Sequence, residues 1–429
     1  MLLNKVFKFQ KIDIDIKYVL IYRIFQVATF GLTSILIPIS VDEVEQGVYF
    51  IFLNMVAAQL LFELGLNQAV LQVSSHIINR KTEVYRELLS WLNEIYKKLA
   101  LKFYLIASIL GYIYLYKFTS NEYYYIKYYW LIIAIVVAVG LSKTYKYALL
   151  EAEGKIYLSY KIKILSLLAA SLSVWILLIF DYGLLSVVIG YLLQTVIMSW
   201  KLKNLYSKNN KKDKINEKNY YILQIEGIKT KFAISYVGGY VGFNSVVPVI
   251  YAFISPVDAG RTGLSLALFS AVTLVASSFV SAKNSSMAKS IALGEFKKLN
   301  IEFKKNCIYS IGTALILSFL IYFIIELLKL INFDLSSRLM SLPILIGIAV
   351  ASIANTLIYV MAIYVRSHKH EPFMTGSLVT AIMVVLLCLI GAHYSAEWSI
   401  LGYIFSVLFI SLPWTFFTFR KYLKANNNK

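Results

Sequence analysis

Apolar residues in this chain do not fall on one stripe of each helical turn. They fill runs of about 18 residues or more that are almost free of charge, separated by short polar turns. A span needs about 20 residues to cross roughly 30 Å of hydrocarbon. On that spacing the pattern predicts twelve transmembrane helices, at 18–40, 48–73, 99–117, 125–149, 160–180, 183–201, 232–254, 262–282, 307–330, 339–364, 374–393 and 397–418. The run Tyr123-Tyr124-Tyr125 blurs the boundary between the third and fourth, where tyrosines suit an interfacial belt. The expected fold class is an all-α polytopic membrane protein.

The longest hydrophilic stretch, Lys203 to Lys231, separates six predicted spans from six. The division expected is an N-terminal half (1–202), a basic cytoplasmic linker (203–231), a C-terminal half (232–418) and a cytoplasmic tail (419–429). Weak internal similarity supports two halves. Helix 1 ends Ile37-Pro38-Ile39-Ser40 before an acidic turn and Gly47; helix 7 runs Val247-Pro248-Val249 into Ser255-Pro256-Val257-Asp258 and Gly260. Parallel repeats of this kind place a transport site between the halves.

Composition agrees with the pattern. The 429 residues are 59% hydrophobic and 15% charged, against roughly 25% charged in a soluble domain, and the mean hydropathy is +0.68. A net charge of +19 on a soluble chain would point to nucleic acid. Its placement points elsewhere. With the N-terminus in the cytoplasm, 36 of the 42 Lys and Arg residues fall in inner segments and five at outer ends (Lys117, Lys127, Arg261, Lys329, Arg338); Arg23 lies inside helix 1. That is the positive-inside asymmetry of an inner-membrane protein with both termini cytoplasmic. Nucleic acid is not an expected partner; membrane lipids are. Cys307 and Cys388 sit in apolar runs, and of the four histidines only His368 and His370, in a basic turn, are neighbours. No disulfide framework, metal site or phosphate-binding loop follows, and no cofactor is expected. The first seventeen residues mix Lys, Asp and apolar positions without a cleavage pattern, so the first apolar run reads as a retained helix.

Candidate site residues are polar groups that enter the spans, where an ionisable side chain is by default part of a pathway. Arg23 in helix 1 and Glu63 in helix 2 sit at similar inner depths. Either they pair and fix two neighbouring helices, or Arg23 faces a wet cavity. Arg261 opens helix 8 and reads as a site residue or as a snorkelling interfacial arginine. Lys143, Lys146, Lys283 and Arg366 mark inner helix ends, which topology alone explains, with one or two available to a substrate. Helix 7 (Ser235, Gly238, Gly239, Gly242, Asn244, Ser245) and helix 8 (Ser265, Ser270, Thr273, Ser277, Ser278) are rich in small and hydroxyl residues. These suit close packing, or a polar wall that hydrogen-bonds sugar hydroxyls, on different faces. Glu326 and Lys329 have the spacing of an i,i+3 pair.

Three blocks carry a resemblance: Ile37-Pro38-Ile39-Ser40 through Gly47-Val48-Tyr49 to Glu63-Leu64-Gly65-Leu66-Asn67-Gln68-Ala69-Val70; Tyr147-Ala148-Leu149-Leu150-Glu151-Ala152-Glu153-Gly154-Lys155; and Ala259-Gly260. In this order the chain resembles the polysaccharide-flippase (Wzx-type) branch of the MOP (multidrug, oligosaccharidyl-lipid, polysaccharide) exporter superfamily. It departs from that pattern at Glu63, where many relatives have Asp, and at Arg261, where many are apolar. The resemblance implies a V-shaped bundle of two six-helix halves and, as substrate, an oligosaccharide on undecaprenyl diphosphate, carried across by alternating access. It also implies a polysaccharide polymerase and a chain-length regulator as partners, and leaves open coupling to a proton or sodium gradient. Basic residues in helices 1 and 8 are similar to those of the lipid II flippase branch, which implies an anion-facing role for Arg23 and Arg261. Two rivals stay open. A polymerase would need a sizeable outer loop, whereas the outer turns are short and acidic. A cation-coupled exporter would hold carboxylates in the outer parts of helices 1 and 7, where this chain has none.

Overall fold

A transmembrane segment has no water to satisfy its backbone, so each crossing must close its hydrogen bonds internally. The computed structural model describes residues 14–77, 82–206, 220–281, 295–331, 334–367 and 372–427, with positions 283, 287, 290 and 291 between them. Among these, eleven helices are long and apolar enough to cross a membrane, twelve when a helix pair bent by 46° at Ser245 is taken as one span. The all-α, twelve-span expectation holds.

The N-terminal half opens with α1 (Ile14–Ser40), which carries Pro38 in its last turn. The second span, Glu43–Glu63, is built from α2 (Glu43–Ala57) and α3 (Leu60–Glu63), and α4 (Leu66–Ile77) follows it. Then come α5 (Thr82–Phe118), the split pair α6 (Ile126–Leu141) and α7 (Tyr145–Ala152), and the hairpin α8 (Ile156–Ile179) with α9 (Leu185–Tyr206). The C-terminal half begins with the bent pair α10 (Tyr220–Asn244) and α11 (Val246–Phe253), followed by α12 (Pro256–Ser281), α13 (Phe296–Leu330), α14 (Leu342–Ser367) and α15 (Met374–Ala392). The last span runs from α16 (Ala396–Phe405) through a π-helical stretch, Ser406–Ser411, into α17 (Leu412–Asn427).

Several helices overrun the predicted spans. The third span, expected at 99–117, belongs to a 37-residue helix, which at 1.5 Å per residue is about 55 Å long against roughly 30 Å of hydrocarbon. Polar turns at its inner end had hidden the continuation. The seventh span also starts early, at Tyr220 rather than 232, and the eighth starts at Pro256 rather than 262, which puts Arg261 inside the helix. The pair His368 and His370 lies outside the described residues.

Lipid-facing and protein-facing sides separate cleanly. On α5 the exposed apolar positions Leu101, Leu105, Ile109 and Ile113 recur every fourth residue, one stripe of a helix. Phe103 and Leu115 of the same helix are buried. One core cluster runs through both halves, from Ile37, Phe52 and Trp130 to Tyr251, Leu264, Ile344 and Ile400. Trp130 is fully buried and donates its indole N–H to the carbonyl of Ala107 at 2.9 Å. A second cluster lies at the inner ends of the N-terminal half. There Leu66, Val70, Leu88, Leu92, Tyr96 and Leu149 pack with Ile222 and Ile225 of α10.

The halves therefore touch at both ends. At the outer end α2 packs along α12, backbone to backbone. A Cβ on Gly47 would stand 2.0 Å from the carbonyl oxygen of Pro256, and one on Gly260 would stand 2.9 Å from the Gly47 nitrogen. One helix turn deeper, a Cβ on Gly263 would meet the Phe50 ring at 2.3 Å. Tyr114 of α5 adds a hydrogen bond to the Pro248 carbonyl at 2.6 Å.

Gly47→Val forces this seam apart, an overpacking cost of about 1–3 kcal/mol. Phe50 is 3% exposed when the seam is closed. An impermeant maleimide added from outside should therefore label Phe50→Cys several-fold faster in the Gly47→Val background; unchanged labelling would show that the seam tolerates a side chain.

Candidate substrate pathway between the two halves

The outer seam begins with the acidic turn. Asp42 caps α2, its carboxylate accepting from the Glu45 N–H at 2.7 Å. This capping stabilises the helix start. It also presents Glu43, the first helical residue, to the other half. Glu43 Oε2 lies 3.6 Å from Arg261 Nη2, and its Oε1 lies 3.8 Å from Arg338 Nε. Gln46 Nε2 donates to the Arg338 carbonyl at 3.4 Å. One carboxylate of the first half is thus shared by two guanidinium groups of the second. Both ion pairs are longer than a hydrogen bond, and Arg261 Nε and Arg338 Nη1 are buried without a hydrogen-bond partner. Arg261 is therefore a member of an inter-half ion cluster rather than a snorkelling residue. Arg338 was missed as a site residue. Counted only as an outer-end positive, it is matched to the acidic turn by the fold across nearly three hundred residues.

At the inner end Arg23 and Glu63 are not paired. Arg23 Nη1 donates to Gln26 Oε1 at 2.9 Å, one turn along its own helix. Tyr22, next to it, meets Tyr160 of α8 edge-on at 5.5 Å. Glu63 is held instead by neutral donors. Thr144 Oγ1 donates to its Oε1 at 2.6 Å, and Asn67 Nδ2 lies 3.0 Å from both carboxylate oxygens. Asn67 Oδ1 in turn accepts from the Tyr96 hydroxyl at 2.7 Å. The interaction satisfying Glu63 is a side-chain network across spans 2, 3 and 4, which spacing along two helices does not reveal.

The remaining candidates scatter. Lys143 and Lys146 stand on the turn between α6 and α7, where Lys143 feels the charge of Lys203, and Lys146 those of Lys143 and Lys97. That groups them as one basic patch on the inner rim of the first half. Lys283 is exposed just past α12. Arg366 Nη2 reaches Ser235 Oγ at 3.5 Å and so links α14 to α10 within the second half. Asn244 Nδ2 donates to the Tyr240 carbonyl at 3.1 Å, capping the last turn of α10 at the bend. Glu326 and Lys329 form the i,i+3 pair, at 3.2 Å.

The small-residue surfaces resolve into both uses. Gly238 packs on the backbone of Ser377, whereas a Cβ on Gly239 would meet nothing within 4 Å. On α12, Ser265, Ser270, Ser277 and Ser278 donate to carbonyls of their own helix, and Thr273 reaches the Ser352 carbonyl at 3.1 Å. Their hydrogens are engaged, and what they offer outward is acceptor lone pairs.

Cavities open elsewhere on the molecule. One, of about 480 Å³, opens at the outer end of the first half between Asp42, Glu45, Asp181, Tyr125, Tyr129 and Tyr182. Tyr123 nearby donates to Asp42 Oδ2 at 2.8 Å, and that bond pushes its phenol up to about 12. The pocket is acidic and unsuited to an anion. The other, of about 730 Å³, is an apolar groove between α15 and α16, lined by Leu387, Ile390, Trp398, Leu401, Phe405 and Phe409.

The sequence matches no protein-family model and no curated protein sequence. Solved structures do match over nearly the whole chain. The inward closed conformation of the lipid II flippase MurJ superposes with a TM-score of 0.67 at 14% identity, covering 94% of this chain and 86% of that one. A MATE transporter from Vibrio cholerae gives 0.58 at 16% identity, covering 96% and 97%. A MOP-superfamily transporter from Pyrococcus furiosus, described as having a binding pocket of reversed polarity, gives 0.57 at 14% identity, covering 96% of both chains. The chain therefore has the multi-pass helical fold that the MurJ flippase and the MATE transporters share, the fold of the MOP exporter superfamily.

Proposed function

We propose that this protein is a flippase that carries an oligosaccharide linked to undecaprenyl diphosphate, an O-antigen or similar surface-polysaccharide repeat unit, from the inner to the outer face of a bacterial cytoplasmic membrane. The observation that carries this reading is Arg23. It is a guanidinium inside a membrane span whose hydrogen bond goes to a neutral amide, Gln26, and no carboxylate among the described residues pairs with it. Such a charge is costly in hydrocarbon unless it meets water or an anion. A diphosphate supplies planar pairs of acceptors that match the guanidinium fork. The sugar cannot cross hydrocarbon unaided, so it travels between the halves while the polyprenyl tail stays in lipid.

In this mechanism Arg23 captures the diphosphate from inside. Arg261, with Arg338 beside it, receives it when the outer seam opens and Glu43 withdraws. Closure at both ends, by the glycine seam outside and the α4–α10 packing inside, fits an intermediate of alternating access. Partnership with a polymerase and a chain-length regulator belongs to the same proposal, as does the cytoplasmic placement of both termini.

Replacing Arg23 with Ala should reduce surface export at least tenfold at unchanged protein level, with lipid-linked oligosaccharide accumulating on the cytoplasmic face as judged by an impermeant sugar-labelling reagent. Arg23→Lys, which keeps the charge and loses the fork, should recover part of it. Full export by Arg23→Ala would end the capture role, and accumulation of single repeat units on the outer face in cells lacking the chain would favour a polymerase.

Removing the shared carboxylate tests the outer step. Glu43→Gln leaves two adjacent guanidinium groups without their counter-charge, so outside labelling of Phe50→Cys should rise several-fold and the gain should shrink when Arg338→Gln is added. Equal labelling in all three backgrounds would show that the ion cluster does not hold the seam.

A further inference from the structure

Neighbouring helices of the first half turn apolar rows toward lipid, and each row runs down to a lysine at its inner end. On α5 the exposed row Ile113, Ile109, Leu105 and Leu101 continues at the same spacing to Lys97. On α6 the row Ile132, Ile135 and Val139 leads to Lys143 in the turn before α7. On α9 the row Leu192, Val196 and Trp200 leads to Lys203. Positions three and four residues apart share one face of a helix, so these lysines stand beneath lipid-facing rows. The residues of α7 that pack toward α10 are others, the buried Tyr145, Ala148 and Leu149. Of the three row-bearing helices, α6 lies in the middle and touches both α5 and α9. A Cβ on Gly140 would stand 3.6 Å from Met198 Cε and from Thr195 Oγ1, so α6 and α9 stay close down to this level.

The ammonium groups are also neighbours of one another. Lys143 feels the charge of Lys203, and Lys146 those of Lys143 and Lys97, which makes one basic rim from α9 across the turn to α5. A lone snorkelling lysine is free to point away from others of its sign. Here packed helices gather them at the edge of the hydrocarbon, where like charges repel more strongly than in bulk water. No carboxylate among the described residues pairs with Lys97, Lys143 or Lys203. The acids near them in the chain are engaged elsewhere: Glu94 with Lys98, Glu63 with Thr144 and Asn67, and Glu151 with Lys163. Trp200, one turn before Lys203, is exposed to lipid, and Lys201 Nζ lies 4.3 Å from its ring centroid. Exposed tryptophans gather at the membrane–water boundary, which sets the rim at the depth of lipid phosphates.

We propose that the inner ends of α6 and α9 form a binding site for an anionic phospholipid of the cytoplasmic leaflet, its phosphate held between Lys143 and Lys203 and its acyl chains lying along the apolar rows above. Lys97 and Lys146 extend the site toward α5. Basic pockets between transmembrane helices on the cytoplasmic side bind headgroups of this kind. The phosphate supplies the counter-charge that the rim lacks, whereas a zwitterionic lipid would bring an ammonium of its own into it. The leaflet follows from the orientation proposed above; the transported substrate plays no part. Lys143 and Lys146 thereby belong to the lipid-facing perimeter instead of the path between the halves, and a bound lipid braces the break in span 4 against α9.

The test is native mass spectrometry of the full chain in detergent, titrated separately with phosphatidylglycerol, phosphatidylcholine and undecaprenyl diphosphate. The wild type should take up its first phosphatidylglycerol more tightly than phosphatidylcholine. Lys143→Gln combined with Lys203→Gln should weaken that step by about tenfold and leave phosphatidylcholine uptake unchanged, and the corresponding Arg pair should retain it. Lys304→Gln combined with Lys305→Gln removes the same charge from exposed inner positions of α13 and should leave the affinity nearly unchanged. Equal losses in the two Gln pairs would reduce the effect to diffuse attraction. Equal affinity of the wild type for the two phospholipids would remove the site, and one-for-one displacement of phosphatidylglycerol by undecaprenyl diphosphate would give the lysines to the substrate. Any of these three results overturns the proposal. Capture by Arg23 is read from export in cells, so either reading can fail without the other.

Discussion

Backbone hydrogen bonding inside hydrocarbon is the constraint on which the rest of this molecule depends. An unsatisfied peptide group there costs several kcal/mol, so each crossing is a helix, and each departure from helical geometry needs a local substitute. Breaks in this chain occur where one exists. Leu64 closes the short α3 by donating to the Leu60 carbonyl at 3.0 Å. Asn244 turns its side chain back on the Tyr240 carbonyl before the bend into α11. In the last span the π-helical stretch is accompanied by Ser406, which donates to the Gly402 carbonyl at 2.8 Å.

Given that scaffold, the polar side chains that enter the spans are told apart by their partners. Three charged residues that look alike in the sequence are treated differently. Arg261 is balanced across the seam by Glu43, Arg23 is steadied by a neutral amide, and Glu63 is surrounded by hydroxyl and amide donors. The first arrangement joins the two halves, the second preserves a charge, and the third ties Glu63 to Thr144, Asn67 and Tyr96 at one level.

Much of the architecture was legible from the chain alone. Hydrophobic runs mark crossings because lipid imposes a length. The inner extensions of α5 and α13 were not legible, since outside the bilayer a helix need not be apolar. Candidate site residues stand out in the sequence as exceptions to apolarity, which singles out Arg23, Glu63 and Arg261. Their partners do not. Thr144 and Tyr96 are unremarkable in sequence and gain meaning only when spans 2, 3 and 4 pack at one level. Arg338 was masked because an arginine at a helix end has an ordinary explanation.

The length of α5 has a mechanical consequence. A rod of about 55 Å that is fixed near its outer end acts as a lever. Tyr114 and Trp130 tie that end to the Pro248 carbonyl and to α6. A tilt of about 10° around Tyr114 would carry the far tip, about 48 Å away, sideways by roughly 8 Å. Repacking of a few side chains at one end is thereby geared into a much larger displacement at the other, with no further joint needed in between.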